Sequence, residues 1–158
     1  MNITITTGTG EGPTAIAAFD AALRVAGVEN YNLIPLSSII PPGSTITRTT
    51  FVTPIDEYGH RLYVVMARCD EQINGHAAWA GVGWAQEPAD GRGLFVELHG
   101  DSETGVQVAI DATLTAMMAS RGRTYGPIHC AVAGSVCRGT PVCALVIAVY
   151  QSQGWGAS

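Results

Sequence analysis

Residues 30–44 have the sequence NYNLIPLSSIIPPGS, and this stretch carries the most information about how the chain is built. The apolar run up to Leu36 predicts a strand, which breaks at Ser37 and Ser38, resumes for two isoleucines and ends at a diproline. Serines at the end of a strand are most often turn residues that bond to their own backbone. A serine hydroxyl held in a strained turn can instead attack the carbonyl of the preceding peptide, so two interpretations of the pair stay open.

The chain on either side of this stretch predicts two helices and many strands. Thr14 suits the start of a first helix and Gly27 its end, and a second helix is indicated in residues 101–122. The Gly-rich residues 8–13 predict a turn, and residues 39–59 an irregular surface segment. Strands are predicted at residues 2–7, 30–36, 61–69, 76–85, 93–100, 127–138 and 141–151. Two helices with many strands, in no regular alternation, predict an α+β sandwich.

The composition predicts a single domain that associates with copies of itself. The 158 residues show no repeat or linker, so we expect one domain over residues 1–158. Charged residues make up 13% of the chain, against about 25% in typical globular domains, and so little polar surface predicts an oligomer. The net charge is −5 and all eight basic residues are arginine. The negative net charge and the absence of a basic patch argue against nucleic acid as a partner and favour a small cationic ligand.

The sequence also predicts a compartment. The N-terminus lacks the features of a signal peptide, and no apolar segment approaches the roughly 18 residues of a membrane span. We therefore expect a soluble cytoplasmic protein that makes no membrane contact. The four cysteines lack the paired spacing of zinc sites, which predicts reduced thiols and no bound metal.

The serine pair offers an unusual route to an electrophile. The chain has no lysine, so pyridoxal phosphate chemistry cannot be supported in the usual way. Attack of a serine hydroxyl on the preceding peptide would convert that amide to an ester, and β-elimination would then cut the chain. The dehydroalanine left at the new N-terminus would hydrolyse to a pyruvoyl group with loss of ammonia. A pyruvoyl ketone can condense with an amine and accept electrons in place of pyridoxal phosphate.

Residues 10–43, GEGPTAIAAFDAALRVAGVENYNLIPLSSIIPPG, resemble the N-terminal part of the pyruvoyl-dependent arginine decarboxylases. The resemblance continues through residues 93–100 and the C-terminal strands. It implies cleavage between Ser37 and Ser38, giving a β chain of residues 1–37 and an α chain of residues 38–158 that begins with a pyruvoyl group derived from Ser38. It also implies a four-layer αββα sandwich and assembly as trimers or dimers of trimers, with active sites between subunits.

Glu97 is a second candidate for catalysis. It lies in the apolar sequence LFVEL, which predicts a buried strand, and burial favours the protonated form of a carboxyl group. Such an acid can protonate a carbanion after CO2 leaves. The alternative is a glutamate at a strand edge that points to solvent. The resemblance implies that Glu97 is the proton donor.

Two further polar residues are candidates for the site. Asp20 precedes Arg24 by one helical turn, so a surface ion pair is one interpretation. The resemblance implies instead that Asp20 binds the guanidinium group of the substrate, where a carboxylate gives both charge and geometry. Asn32 is a polar residue inside the strand that leads to the serine pair, and one interpretation is a structural amide that bonds a neighbouring backbone. The resemblance implies instead that Asn32 lies at the processing site and helps to position the reacting groups.

Together, the residues and the resemblance predict a self-processing enzyme that converts L-arginine to agmatine and CO2 through a Schiff base with the pyruvoyl group. The same chemistry on another amino acid, such as lysine or ornithine, is one alternative. A relative that never cuts itself and serves as an assembly partner is another.

Overall fold

The computed structural model describes residues 1–156, which form two helices and nine strands. In chain order the elements are β1 Asn2–Glu11, α1 Ala15–Ala26, β2 Asn32–Pro35, β3 Ile39–Ile40, β4 Thr45–Arg48, β5 Arg61–Glu71, β6 Ala77–Gln86, β7 Gly93–Gly100, α2 Glu103–Arg121, β8 His129–Val136 and β9 Val142–Gln153. Neither helix in this part of the chain has the length and apolar character needed to cross a bilayer.

The strands form two separate sheets. The five-stranded sheet has the order β2-β5-β9-β1-β4, and the four-stranded sheet has the order β3-β7-β6-β8. Strand β1 lies inside the first sheet, antiparallel to β9 on one side and parallel to β4 on the other. Strands β2 and β3 are consecutive in the chain but lie at the edges of different sheets, where β2 pairs with β5 and β3 with β7.

Strand β9 shows how the layers are stacked, because its side chains alternate between two cores. Its odd-numbered residues 143–149 pack against α1, and its even-numbered residues 142–150 pack against the four-stranded sheet. A third core joins α2 to the outer face of that second sheet through Val106, Ile110 and Leu114. Three cores separating four layers confirm the expected αββα sandwich.

Strand β1 runs to Glu11, so the prediction of a turn at residues 8–13 was wrong for most of its length. The glycines there serve the packing of α1 against the strand. A Cβ atom at Gly8 would lie 2.0 Å from the carbonyl oxygen of Ala22, and one at Gly10 would lie 2.4 Å from the Ala22 nitrogen. Glycine is required at both positions because the helix backbone lies directly on the strand.

The helix termini match the sequence prediction. The Thr14 hydroxyl accepts a hydrogen bond from Ala17 N at 3.2 Å, and Gly27 ends α1 with a left-handed φ of 80°. The segment 39–59 is less irregular than predicted, since it includes β3 and β4. Two of its threonines, Thr45 and Thr47, donate hydrogen bonds to the Asn2 side chain and join β4 to β1.

Candidate active site

The serine pair lies where the chain crosses from one sheet to the other. On one side of the pair, Leu36 N donates to the carbonyl oxygen of Val64 in the five-stranded sheet at 2.8 Å. On the other side, the Ser38 carbonyl accepts from Phe95 N in the four-stranded sheet at 2.9 Å. The peptide between Ser37 and Ser38 is therefore held at both ends by different layers of the fold.

Ser38 has an unusual backbone conformation. Its φ is 68°, and it is the one non-glycine residue with positive φ among residues 1–156. A left-handed conformation costs a residue with a Cβ atom about 1–2 kcal/mol. Such strain persists only where the surrounding structure imposes it, and it is concentrated at functional sites. This favours the second interpretation of the serine pair over an ordinary turn.

The side chain of Ser38 faces Glu97. Ser38 Oγ donates a hydrogen bond to Glu97 Oε1 at 2.5 Å, although 59 residues separate them in the chain. Glu97 shares its face of β7 with Phe95, which lies in the core between the sheets. Glu97 is half-buried, not fully buried as expected, because the enclosed part of β7 ends at Val96. The contact places a proton acceptor on the hydroxyl that would act as nucleophile.

Tyr150, in β9, contacts the same stretch of chain and was not identified from the sequence. Its hydroxyl donates to the carbonyl oxygen of Ile39 at 2.9 Å, and its ring packs edge-on against Phe95 with centroids 6.1 Å apart. Only 9% of the residue is exposed. Burial, and to a lesser degree the charge of Glu97, raise the pKa of Tyr150, so the hydroxyl remains a donor well above neutral pH. The available signal was a lone tyrosine at the end of the apolar run 142–149.

A cavity of about 190 Å³ adjoins these residues. Leu36 and Pro41, which flank the serine pair on either side, lie on its wall. Tyr63 and Tyr150 lie on the wall contributed by the five-stranded sheet. The Tyr63 hydroxyl donates to Gln153 Oε1 at 2.7 Å, away from the serine pair.

Asn32 lies elsewhere in the protomer. It is exposed at the start of β2, and its side-chain Nδ2 donates to the carbonyl oxygen of Gly59 at 2.8 Å. This contact fits the structural-amide interpretation and brings the side chain to no atom of the serine pair. Within one protomer, the structure does not join Asn32 to Ser38 and Glu97.

Asp20 also lies away from the serine pair. It is exposed on α1, which covers the face of the five-stranded sheet opposite to the one facing Ser38. No ion pair joins Asp20 to Arg24 in the described part of the chain, and both side chains face solvent. The Asp20 carboxylate is therefore free in the protomer to meet a partner of opposite charge.

A family model described as "Pyruvoyl-dependent arginine decarboxylase (PvlArgDC)" matches residues 2–153. A protein of Halobacterium salinarum named pyruvoyl-dependent arginine decarboxylase is 45% identical over 96 residues, which cover 60% of this chain and 58% of the relative. The pyruvoyl-dependent arginine decarboxylase 2 of Archaeoglobus fulgidus is 31% identical over 116 residues, covering 73% of this chain and 74% of the relative. A Methanopyrus kandleri protein with the same name as the first is 55% identical over 40 residues, or 25% of this chain and 27% of the relative. The match therefore spans less than two thirds of the Halobacterium relative's length.

Proposed function

Since the chain belongs to the pyruvoyl-dependent arginine decarboxylase family, whose name specifies a covalent pyruvoyl cofactor, we propose that it cuts itself between Ser37 and Ser38 and decarboxylates L-arginine. The products of the second reaction are agmatine and CO2. The observation that carries the proposal is the contact of a left-handed Ser38 with Glu97.

Self-cleavage follows from this contact in two steps. Glu97 takes the hydroxyl proton as Ser38 Oγ attacks the carbonyl carbon of Ser37, and the C–N bond gives way to an ester while the nitrogen of residue 38 becomes an amine. Loss of the Ser38 α-proton then expels Oγ with the acyl group, so residues 1–37 leave with a C-terminal carboxylate. The remaining dehydroalanine takes up water and releases ammonia. Strain at the left-handed Ser38 favours the first step, because it raises the energy of the uncut chain.

The residues around position 38 fit a pyruvoyl group. The carbonyl of residue 38 is already held by Phe95 N, and the atoms that would become the ketone and methyl group lie beside the Glu97 carboxyl group. A pyruvoyl group there would supply the carbonyl that condenses with the substrate's amine and the electron sink for loss of CO2. Glu97 would return a proton to the substrate's α carbon. Because Glu97 is half-buried, it can regain that proton from water after each turnover.

Arginine as substrate is supported by the names of the relatives and by the free carboxylate of Asp20. Asp20 and Ser38 lie on opposite faces of the five-stranded sheet, so the proposed role of Asp20 requires a neighbouring subunit. The same holds for Asn32, which does not contact the serine pair within one protomer and whose proposed role also requires a neighbouring subunit. We therefore include in the proposal a trimer, or a dimer of trimers, with active sites between subunits.

Exposed apolar side chains support this assembly. Ile16 lies one turn before Asp20 on α1 and is 71% exposed, and Ile39 follows Ser38 and is 48% exposed. Apolar side chains beside both halves of the proposed site would be buried if the two surfaces met. The contact would bring a carboxylate for the guanidinium group close to position 38.

A second cavity beside β3 is lined by arginines and by one acid, Glu87. It measures about 420 Å³, touches Ile39 and is lined by three of the chain's eight arginines, Arg92, Arg121 and Arg123. Arg92 pairs with Asp90, and Arg123 pairs with Glu87, which also lines the cavity, so the unpaired positive charge is that of Arg121 among the described residues and it disfavours a cation only modestly. The cavity lined by Leu36 and Tyr150 has no arginine on its wall.

The intact mass of the denatured protein tests self-cleavage. Two fragments are expected, residues 1–37 and a remainder from position 38 that carries a pyruvoyl group, whereas a single chain of 16.5 kDa would favour the assembly-partner alternative. Ser38→Ala removes the nucleophile and should stay uncut. Ser37→Ala keeps it and should still be cut, because the exposed Ser37 side chain takes no part in either step.

A panel of amino acids tests the substrate. Release of CO2 from arginine, lysine, ornithine and a neutral amino acid would be compared on the same processed sample. Preference for arginine is expected. Preference for the neutral amino acid would refute the cationic substrate while leaving self-cleavage intact.

A further inference from the structure

We propose that Tyr150 is a positioning residue that holds residue 38 against Glu97, both in the uncut chain and after the cut. The inference rests on the proposed function and assigns a role to a residue that contacts neither the nucleophile nor the scissile bond. Its hydroxyl instead holds the carbonyl of Ile39, the next residue in the chain.

Tyr150 links the five-stranded sheet to the segment that the cut would release from β2. Before cleavage, the peptide from Ser37 to Ser38 joins the five-stranded sheet to the four-stranded sheet. After cleavage that covalent link is gone, and the new N-terminus continues directly into the two-residue strand β3. Among the hydrogen bonds within residues 1–156, the bond from Tyr150 to Ile39 is then the only one between the five-stranded sheet and residues 38–40.

Two successive carbonyl groups, those of residues 38 and 39, accept hydrogen bonds from different sheets. Phe95 N, in the four-stranded sheet, donates to the Ser38 carbonyl at 2.9 Å, and Tyr150, in the five-stranded sheet, donates to the Ile39 carbonyl at 2.9 Å. The rings of Phe95 and Tyr150 also pack against each other. The two carbonyls belong to consecutive peptide groups, so fixing both sets the orientation of the two peptide planes that follow residue 38 and restricts its turning away from Glu97.

The contact is suited to a permanent positioning role. Tyr150 is nine-tenths buried, and its ring is held between the sheets by edge-on packing against Phe95. The raised pKa of its phenol keeps the donor proton in place well above neutral pH. Loss of the hydroxyl would leave the Ile39 carbonyl without its hydrogen-bond donor from the five-stranded sheet.

Tyr63 provides a matched control. It lines the same cavity, lies in the same sheet and donates one hydrogen bond through its hydroxyl, but to Gln153. Tyr150→Phe and Tyr63→Phe each remove one oxygen atom from this cavity. Only Tyr150→Phe removes a hydrogen bond to residues 38–40, the segment directly after the proposed cut.

The experiment follows self-cleavage of newly made precursor by intact mass. Tyr150→Phe is expected to slow the appearance of the two fragments by about tenfold, and Tyr63→Phe to leave the rate unchanged. In the processed protein, Tyr150→Phe should lower kcat for arginine and leave KM unchanged, because the hydroxyl holds the backbone and not the substrate. A rise in KM alone, or equal slowing in both variants, would overturn the inference.

A second measurement does not depend on catalysis. In the Ser38→Ala background, which cannot be cut, Tyr150→Phe should speed amide hydrogen exchange of residues 38–40 by about tenfold, and Tyr63→Phe should not. Unchanged exchange would overturn the inference. If the wild-type protein stays uncut and releases no CO2, the proposed function fails, and this exchange comparison still decides whether Tyr150 holds the segment.

Discussion

Replacing Glu97 by glutamine keeps the shape of the side chain but removes its ability to accept a proton. The Ser38 hydroxyl donates to Glu97 over 2.5 Å, and no other carboxylate contacts that hydroxyl in residues 1–156. A positioned general base contributes about 10²–10⁴-fold to a rate. At about 1.4 kcal/mol per factor of ten, this is about 3–6 kcal/mol of activation free energy. Glutamine can still accept the Ser38 hydrogen bond, so we expect the fold to persist and self-cleavage to slow at least about a hundredfold.

The rate is measured by sampling newly synthesised protein over time and recording the masses of the uncut and cut chains. Glu57→Gln is the matched control, since Glu57 also accepts a hydroxyl hydrogen bond at 2.5 Å, from Tyr31, outside the candidate site. It should cut at the wild-type rate, and circular dichroism should match for all three proteins. Cleavage of Glu97→Gln within about threefold of the wild-type rate would refute the assignment of Glu97 as the base.

Three other substitutions test separate features. Ser38→Gly and Ser38→Ala both remove the nucleophile, but glycine relieves the left-handed strain, so urea unfolding should show the glycine variant to be more stable by about 1 kcal/mol; equal stabilities would mean that the turn is unstrained. Asp20→Asn should raise KM for arginine about tenfold to a hundredfold without changing self-cleavage, whereas Glu11→Gln, another exposed acid, should change neither. Gly8→Ala should lower the free energy of unfolding by about 2–3 kcal/mol, because the added methyl group meets the Ala22 carbonyl oxygen; a loss below about 0.5 kcal/mol in urea unfolding would contradict this packing.

Local patterns were sufficient to predict most of the elements. The caps at Thr14 and Gly27 gave the limits of α1, and alternating or continuous apolar runs located the long strands. The same patterns wrongly predicted a turn at the glycines of β1. Those glycines allow helix α1 to approach the strand closely, and a local sequence pattern does not reveal that tertiary contact. They also missed β4, whose pairing with β1 depends on residues 43 apart.

The two parts of the candidate site were predictable to different degrees. Ser38 and Glu97 each carried a signal in its own neighbourhood, a broken strand and an acid among apolar residues, and the fold brings them together. Tyr150 carried none that separated it from an ordinary core tyrosine. Its role comes from a contact with Ile39 across 111 residues, which only the stacking of the two sheets creates.

The position of the cut also determines how the mature protein would fold. Residues 1–37 contain β1, α1 and β2, which all belong to the five-stranded sheet and its helix, and β1 is hydrogen-bonded on both sides by strands of the other fragment. Cleavage would turn one chain into a two-chain complex in which an inner strand comes from the smaller partner. Unfolding would then release two molecules, and refolding would become a bimolecular reaction whose yield falls on dilution. A chain cut in this way has to fold before it is cut. Each molecule would therefore fold as a single chain only once.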